Sequence, residues 1–405
     1  MSEPAKCSNQ SPRVDELDGL RGLLALWVVL AHMLAWSGFW ESRLPHRFDG
    51  AWSAVVKAEA AVDTFIILSG FAISFLLHKR SQSYVSFMTG RFFRIYPVYL
   101  LCLVLGIATT FLTPQILDTA SWRGSTVYFE WIRTFTQNSF SALGAHTFWH
   151  LTLLNGLLPK SFLTNSTATL LPPSWSITLE WQYYLVAPFL ARAVMVGSGW
   201  IKTAVQWALV AAAVLFGIKY GAKFANPMLA FFPAHLPLFL VGIGSYHFYA
   251  RFHSAENGSR ISSISAVAII AVGILFQWHA IALTAWALGF GCIMIRGNNL
   301  PGRVLAPFRN SLLHPALQWL GHLSFPLYLV HWPIIIAVMF VTLHWFPNIS
   351  QIGNLAVLLL VGLPLVVIAA RLVHLYIELP MMAFGKKVNP PKPVRAPAVA
   401  ESVTE

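Results

Sequence analysis

Residues 17–38 read Leu-Asp-Gly-Leu-Arg-Gly-Leu-Leu-Ala-Leu-Trp-Val-Val-Leu-Ala-His-Met-Leu-Ala-Trp-Ser-Gly, an apolar run of bilayer-spanning length that carries Arg21 and His32. Hydrocarbon admits neither side chain without compensation, so each marks a functional candidate. At about 100° and about 1.5 Å per residue, the step from Arg21 to His32 returns close to its starting azimuth and climbs roughly 16 Å, so one helix face carries both. In a hydrocarbon core about 30 Å thick, Arg21 then lies near one headgroup layer and His32 somewhat beyond mid-depth.

The rest of the chain has the same character. Its 405 residues are 57% hydrophobic and only 10% charged, which a water-soluble core of this size does not need. The reading is an all-α, polytopic membrane helix bundle. Apolar runs near 17–38, 54–77, 92–113, 176–196, 201–219, 229–250, 262–278, 280–296, 321–345 and 354–377 give about ten transmembrane helices. The first run is too long for a cleaved signal and follows Asp15, Glu16 and Asp18, so it reads as a retained span. The net charge of +12 is scattered between apolar runs, which points to membrane topology and membrane lipids and away from nucleic acid.

The positive-inside rule orients the bundle. With ten spans and a cytoplasmic N-terminus, Lys79, Arg80, Arg91, Arg94, Arg251, Arg303, Arg309, Lys386 and Lys387 fall inside, and the outside loops hold fewer basic residues, among them Arg43, Arg47, Arg133, Lys219 and Lys223. Both termini are then cytoplasmic, and residues 114–174 form an extracytoplasmic excursion ended by Pro172 and Pro173. The expected organisation is a leader over 1–14, a membrane domain over 15–382 and a disordered tail over 383–405. Cys7, Cys102 and Cys292 have no metal-ligand spacing, so neither a disulfide nor a metal is expected.

Depth along the spans brings further polar groups to the level of His32. Asp63 lies about 13 Å in from the outer end of the second span and His331 about 15 Å along the ninth. Asp63 is the candidate to orient or polarise His32. Arg91 and Arg94 share a face at the cytoplasmic mouth of the third span and, with Arg21, make a basic entrance suited to phosphates. Glu180, near the outer end of the fourth span, is expected to face the opposite compartment. Each has a plainer reading: a hydrogen bond to a neighbouring helix for His32 and Asp63, lipid anchoring for the arginines, bracing of the excursion for Glu180. His331 reads as structural, since Pro333 beside it frees backbone groups that need partners. Ser69, Gly70 and Phe71 read as a close-packing site.

In order along the chain stand Leu17-Asp18-Gly19-Leu20-Arg21-Gly22 running on to His32, Val62-Asp63-Thr64-Phe65-Ile66-Ile67-Leu68-Ser69-Gly70-Phe71, the arginine pair before Tyr96-Pro97, the Trp175-Ser176 stretch ending at Glu180, Ser324 to Pro333 around His331, and Glu378-Leu379-Pro380. This ordered set resembles the family-3 integral membrane acyltransferases over roughly residues 15–382. The resemblance implies transfer of an acyl group, usually acetyl, from cytosolic acyl-CoA as co-substrate to a hydroxyl of an extracytoplasmic or lipid-linked glycan. It implies His32 as the catalytic histidine, with Asp63 and Glu180 beside it in the catalytic set, and Arg21, Arg91 and Arg94 as donor-binding residues. A bacterial cytoplasmic membrane is the implied location, in the form that lacks a fused esterase-like domain. Trp181 and Gln182 follow Glu180 where the family commonly has a second acidic residue, which leaves the acceptor open. The competing class is a transporter or exporter of a small acylated metabolite that uses His32 and Asp63 as a proton or substrate relay.

Overall fold

The computed structural model describes residues 14–39, 58–79, 82–120, 122, 127–195, 200–253, 279–295, 297 and 299–389. The described residues form an all-α polytopic bundle. In chain order the helices are α1 (Asp15–Trp36), α2 (Glu59–Lys79), α3 (Tyr84–Thr110), α4 (Thr113–Thr119), α5 (Val127–Ser141), α6 (Leu143–Thr152), α7 (Ser174–Met195), α8 (Trp200–Phe224) and α9 (Phe232–His253). They continue with α10 (His279–Met294), α11 (Leu300–Leu312), α12 (Pro315–Trp345) and α13 (Gln351–Val388). Among the described residues six helices are long and apolar enough to cross a membrane: α1, α2, α3, most of α8, α12 and α13. The count of about ten is not reached on that criterion. α7 and α9 have the length without meeting it, α10 is too short, and the span expected at 262–278 lies outside the described residues.

Backbone contact between helices fixes the centre of the bundle. α1 packs along α12, and a Cβ built on Gly321 would come within 1.9 Å of the Asp18 carbonyl oxygen. One on Gly22 would come within 2.3 Å of the Leu317 carbonyl oxygen. Only glycine allows that approach, as close pairs of membrane helices require. α2 and α9 meet in the same way, with Gly242 against the Ile67 carbonyl and Gly70 against that of Phe239, which makes the expected packing role of Gly70 concrete. Around these seams the bundle buries Leu20, Leu24, Val28, Ile67, Phe71, Phe239, Leu327 and Ile335.

α3 departs from its expected span in a way that matters. It begins at Tyr84, where the Ser83 side chain caps it by accepting from the Ser86 amide at 3.2 Å. Hydropathy marks only the apolar part of this helix, so Arg91 and Arg94 stand about 10 and 15 Å along it from its first residue. The tail also differs: α13 runs on to Val388, with Lys386 and Lys387 in a last turn where cations favour the helix dipole. α13 holds two π-helical turns, Leu358–Gly362 and His374–Glu378.

Between α3 and α7 the chain forms short helices and turns, none of spanning length, over a buried polar layer. Tyr99 of α3 donates to the His150 carbonyl at 2.9 Å, and Thr169 Oγ1 lies 2.9 Å from His146 Nδ1. Asn226 ties this layer to the α8–α9 turn by donating to the Leu163 carbonyl and to Ser166 Oγ. Burial pushes His146 down to about 4, and burial together with the nearby His146 pushes His150 down to about 3.

Two outcomes follow from this packing. Gly321→Val drives a side chain into the α1 backbone and is expected to lower the thermal midpoint in detergent by several degrees, as overpacking by about 1–3 kcal/mol does. Gly90→Ala, whose Cβ meets nothing within 4 Å, leaves it unchanged or raises it; equal effects of the two changes refute the seam. For the polar layer the sign is set by histidines held neutral in the fold, whose folded pKa values lie below the ordinary 6.5. Their stabilisation is whole above about 6.5 and drains away as pH falls through about 4. Protection factors over residues 143–174, taken against the intrinsic exchange rate at each pH, should therefore fall on acidification from pH 7 to 4, and flat protection across that range contradicts it.

Candidate active site

A cavity of about 930 Å³ opens among α1, α2, α3, α7, α12 and α13. Its lining includes Arg21, Arg91, Arg94 and Lys386 as cations, Asp18, Glu180 and Glu378 as carboxylates, and Ser69, Tyr184, His322, Tyr328 and His374 as further polar groups. The three arginines singled out from sequence thus converge on one space. A volume near the top of the usual ligand-pocket range suits an extended, charged ligand.

Two of these cations are held by named partners. Arg21 pairs with Asp18 one turn before it, at 3.3 Å, which keeps its guanidinium at the cavity wall. The Arg91 guanidinium carbon lies 5.9 Å from the Phe87 ring centroid and 5.7 Å from that of Tyr184, so two aromatic faces support its charge. Its Nε is buried with no hydrogen-bond partner, leaving one donor for an anionic ligand. Across the cavity mouth His374 Nδ1 lies 2.7 Å from Glu378 Oε2, within the second π-helical turn of α13. Such turns frequently mark functional positions.

Glu180 is not where its sequence position suggests. Although only six residues into α7, it lines the same cavity as the arginines, because α7 runs antiparallel to α3 and Tyr84 near the start of α3 donates to the Leu185 carbonyl. Ser69 donates to Glu180 Oε1 at 3.0 Å, and the Tyr184 hydroxyl donates to the same oxygen. Two hydroxyls therefore orient the carboxylate within reach of the cationic wall. Ser69, expected only to permit packing, adds this polar contact.

His32 lies half-buried on α1, with Nδ1 at 2.9 Å from the Val28 carbonyl oxygen. A carbonyl can only accept, so Nδ1 carries the proton and Nε2 of the neutral ring keeps a free lone pair. The ring packs against His331, with centroids 5.0 Å apart, and against Trp332 at 5.5 Å. His32 is not among the described residues that line the cavity; Tyr328 is, and its ring centroid lies 6.0 Å from that of His331. Tyr328 donates to the Pro173 carbonyl at 2.9 Å and accepts from Ser176 at 2.7 Å.

One expectation about partners changes here. Asp63 does not bond His32: its Oδ2 lies 2.6 Å from His279 Nδ1 at the start of α10, on the other side of α2. His279 ends an apolar run in the sequence and carries no signal that would pair it with a residue more than two hundred positions earlier. His331, expected to serve backbone groups freed by Pro333, is fully buried and faces the Leu327 and Tyr328 backbone of its own helix, with neither ring nitrogen in good hydrogen-bond geometry. Among the described residues no set of three or more His, Cys, Asp or Glu side chains is arranged to hold a metal ion, and Cys102 and Cys292 are unpaired thiols.

A family profile described as an acyltransferase domain matches residues 14–371, nearly the whole chain, and takes in the cavity-lining residues of α1, α2, α3, α7 and α12 but not those of α13, which begin at His374. Comparison with curated proteins and with solved structures gives no match. The family match covers Arg21, His32, Arg91, Arg94 and Glu180 in one continuous alignment over a helical membrane bundle, and the chain belongs to acyltransferase family 3.

Proposed function

We propose that this membrane acyltransferase takes an acetyl group from cytosolic acetyl-CoA and passes it to a hydroxyl of an extracytoplasmic or lipid-linked glycan, with His32 as its catalytic histidine. The observation that carries the donor assignment is the convergence of Arg21, Arg91 and Arg94 on one cavity in which Arg91 keeps an unpaired buried donor. Guanidinium groups match the phosphates of coenzyme A, and the cavity volume of about 930 Å³ leaves room for its pantetheine arm. The thioester lies toward the Tyr328 end, and the acceptor reaches the bundle from the other compartment. His32 supplies the base: with Nδ1 committed to Val28, its Nε2 is ready to receive a proton. Ser69 and Tyr184 hold Glu180 facing the donor, where it completes the catalytic set.

This reading carries the remaining assignments with it. The membrane is the cytoplasmic membrane of a bacterium, both termini are cytoplasmic, and the arginine end of the cavity opens to the cytosol, the compartment that holds acyl-CoA. Asp63 belongs to the supporting structure through His279. The Asp63–His279 bond is also the one observation that favours the transporter reading, since such a pair suits an intramembrane proton relay.

Purified protein, or membranes containing it, should release thiol from acetyl-CoA and label cell-envelope glycan with the acetyl group. His32→Ala is expected to lower that rate at least about 100-fold, the scale of a lost general base. Full activity in the variant rejects the assignment of His32, and movement of a solute without thioester cleavage rejects acyl transfer in favour of transport. Arg91→Ala and Arg94→Ala are expected to raise the KM for acetyl-CoA about tenfold or more while kcat changes less, as loss of a charge-assisted phosphate contact does. An unchanged KM in both removes the donor from this cavity.

A further inference from the structure

His331 is the most unusual side chain in the bundle. It is fully buried at the centre of α12, and neither ring nitrogen is in good hydrogen-bond geometry. Unpaired polar groups away from water cost stability, and those a fold retains call for an explanation. Packing supplies none, because an apolar ring of similar size would fill the same space without that cost.

Its neighbours supply one. On one side lies His32, centroid to centroid at 5.0 Å, with Nδ1–H held by Val28 and Nε2 bearing a lone pair. On the other lies Tyr328, at 6.0 Å, which lines the donor cavity that His32 itself does not line. His331 therefore packs against the catalytic histidine on α1 and, one turn back on its own helix, has Tyr328, which lines the space where the thioester is proposed to lie. A rotation of the His331 ring within this packing would bring one nitrogen into hydrogen-bond distance of His32 Nε2.

We propose that His331 is a second catalytic residue, which carries the proton between the cavity and His32. In the working state one His331 nitrogen donates its proton in a hydrogen bond to His32 Nε2, and the other presents its lone pair to the Tyr328 end of the cavity. As the acceptor oxygen bonds to the acyl carbon, its proton goes to the cavity-facing nitrogen of His331, and the proton on the opposite nitrogen passes to His32 Nε2. His32 is then doubly protonated, steadied by the Val28 carbonyl. The carbon–sulfur bond breaks as the tetrahedral centre collapses, the electron pair leaves on sulfur, and the proton returns along the same path to the thiolate. The products are the ester and the free coenzyme thiol, with both histidines restored. The inference rests on the acyl-transfer reading and adds that His32 reaches the reaction through a second imidazole.

The test is His331→Phe, assayed by thiol release from acetyl-CoA with cell-envelope glycan as acceptor, beside wild type and His32→Ala. Phenylalanine keeps the ring and removes both unpaired nitrogens, so the thermal midpoint in detergent should stay level or rise. kcat should fall at least about 100-fold, as in His32→Ala, with the KM for acetyl-CoA within about twofold of wild type. A merely structural His331 would give the reverse, a lower midpoint with a kcat near wild type, and that result overturns the proposal. If the Phe variant does not fold, His331→Ala with added imidazole decides: restored turnover supports the relay, and full activity without imidazole or a loss that imidazole leaves untouched overturns it. Wild-type protein that releases no thiol overturns the acyl-transfer reading and this inference together, whereas an inactive His32→Ala beside a fully active His331→Phe overturns this inference alone.

Discussion

The backbone contact between α1 and α12 is the constraint from which the central geometry follows. Asp18 carbonyl against Gly321 and Leu317 carbonyl against Gly22 bring two helix axes closer than side chains of any size would allow. In a bilayer there is no hydrophobic gain from helix association, so van der Waals contact over such a seam has to hold the pair. Farther along the same seam lie His32 and His331, and the spacing between their rings is inherited from the glycine contacts below them. The paired histidines are thus a product of helix packing more than of any local hydrogen bond.

Charge at depth is managed by a different device. Four cations and three carboxylates line one cavity, and in low dielectric each would be costly without compensation. Arg21 is answered by Asp18, Arg91 by the faces of Phe87 and Tyr184, Glu180 by the hydroxyls of Ser69 and Tyr184, and Glu378 by His374. Tyr184 serves both signs, with its ring under a guanidinium and its hydroxyl on a carboxylate. The electrostatics of the site therefore couple α3 to α7, and through Ser69 to α2. A change in any one of these three helices is expected to reach the arginine end of the cavity.

The polar layer of residues 143–174 closes the end of the bundle reached by the C-terminal half of α3. Asn165, Ser166 and Thr167 bond Asn226 there, Asn155 and Ser166 bond each other, and Thr169 meets His146, so the irregular chain meets its polar groups without a helix. Leu153, Asn165 and Leu170 adopt positive φ there, near +60°. Non-glycine residues hold that conformation only where the surroundings over-determine it. Pro173 and Ser176 at the edge of this layer also hold the Tyr328 hydroxyl, which links the closure of the bundle to the end of the cavity nearest the histidines.

Much of this was legible in the residues. Hydropathy gave the all-helical membrane bundle, because lipid leaves no other way to satisfy a spanning backbone. Spacing gave Arg21 and His32 one face of α1, and the ordered motifs pointed to the acyltransferase family. What the residues could not give was lateral and axial placement between helices. Hydropathy began α3 at its apolar part, and the Ser83 cap sets the true start at Tyr84, ahead of Arg91 and Arg94. Counting depth from the ends of separate spans set Glu180 apart from the arginines whose cavity it lines and Asp63 beside His32 where it bonds His279, since that count assumes helices of equal tilt and length. Helices of 27, 31 and 38 residues break that assumption. Which side chains meet is decided by the glycine seams and antiparallel registers, and these depend on residues far apart in the chain, so only the folded bundle holds that information.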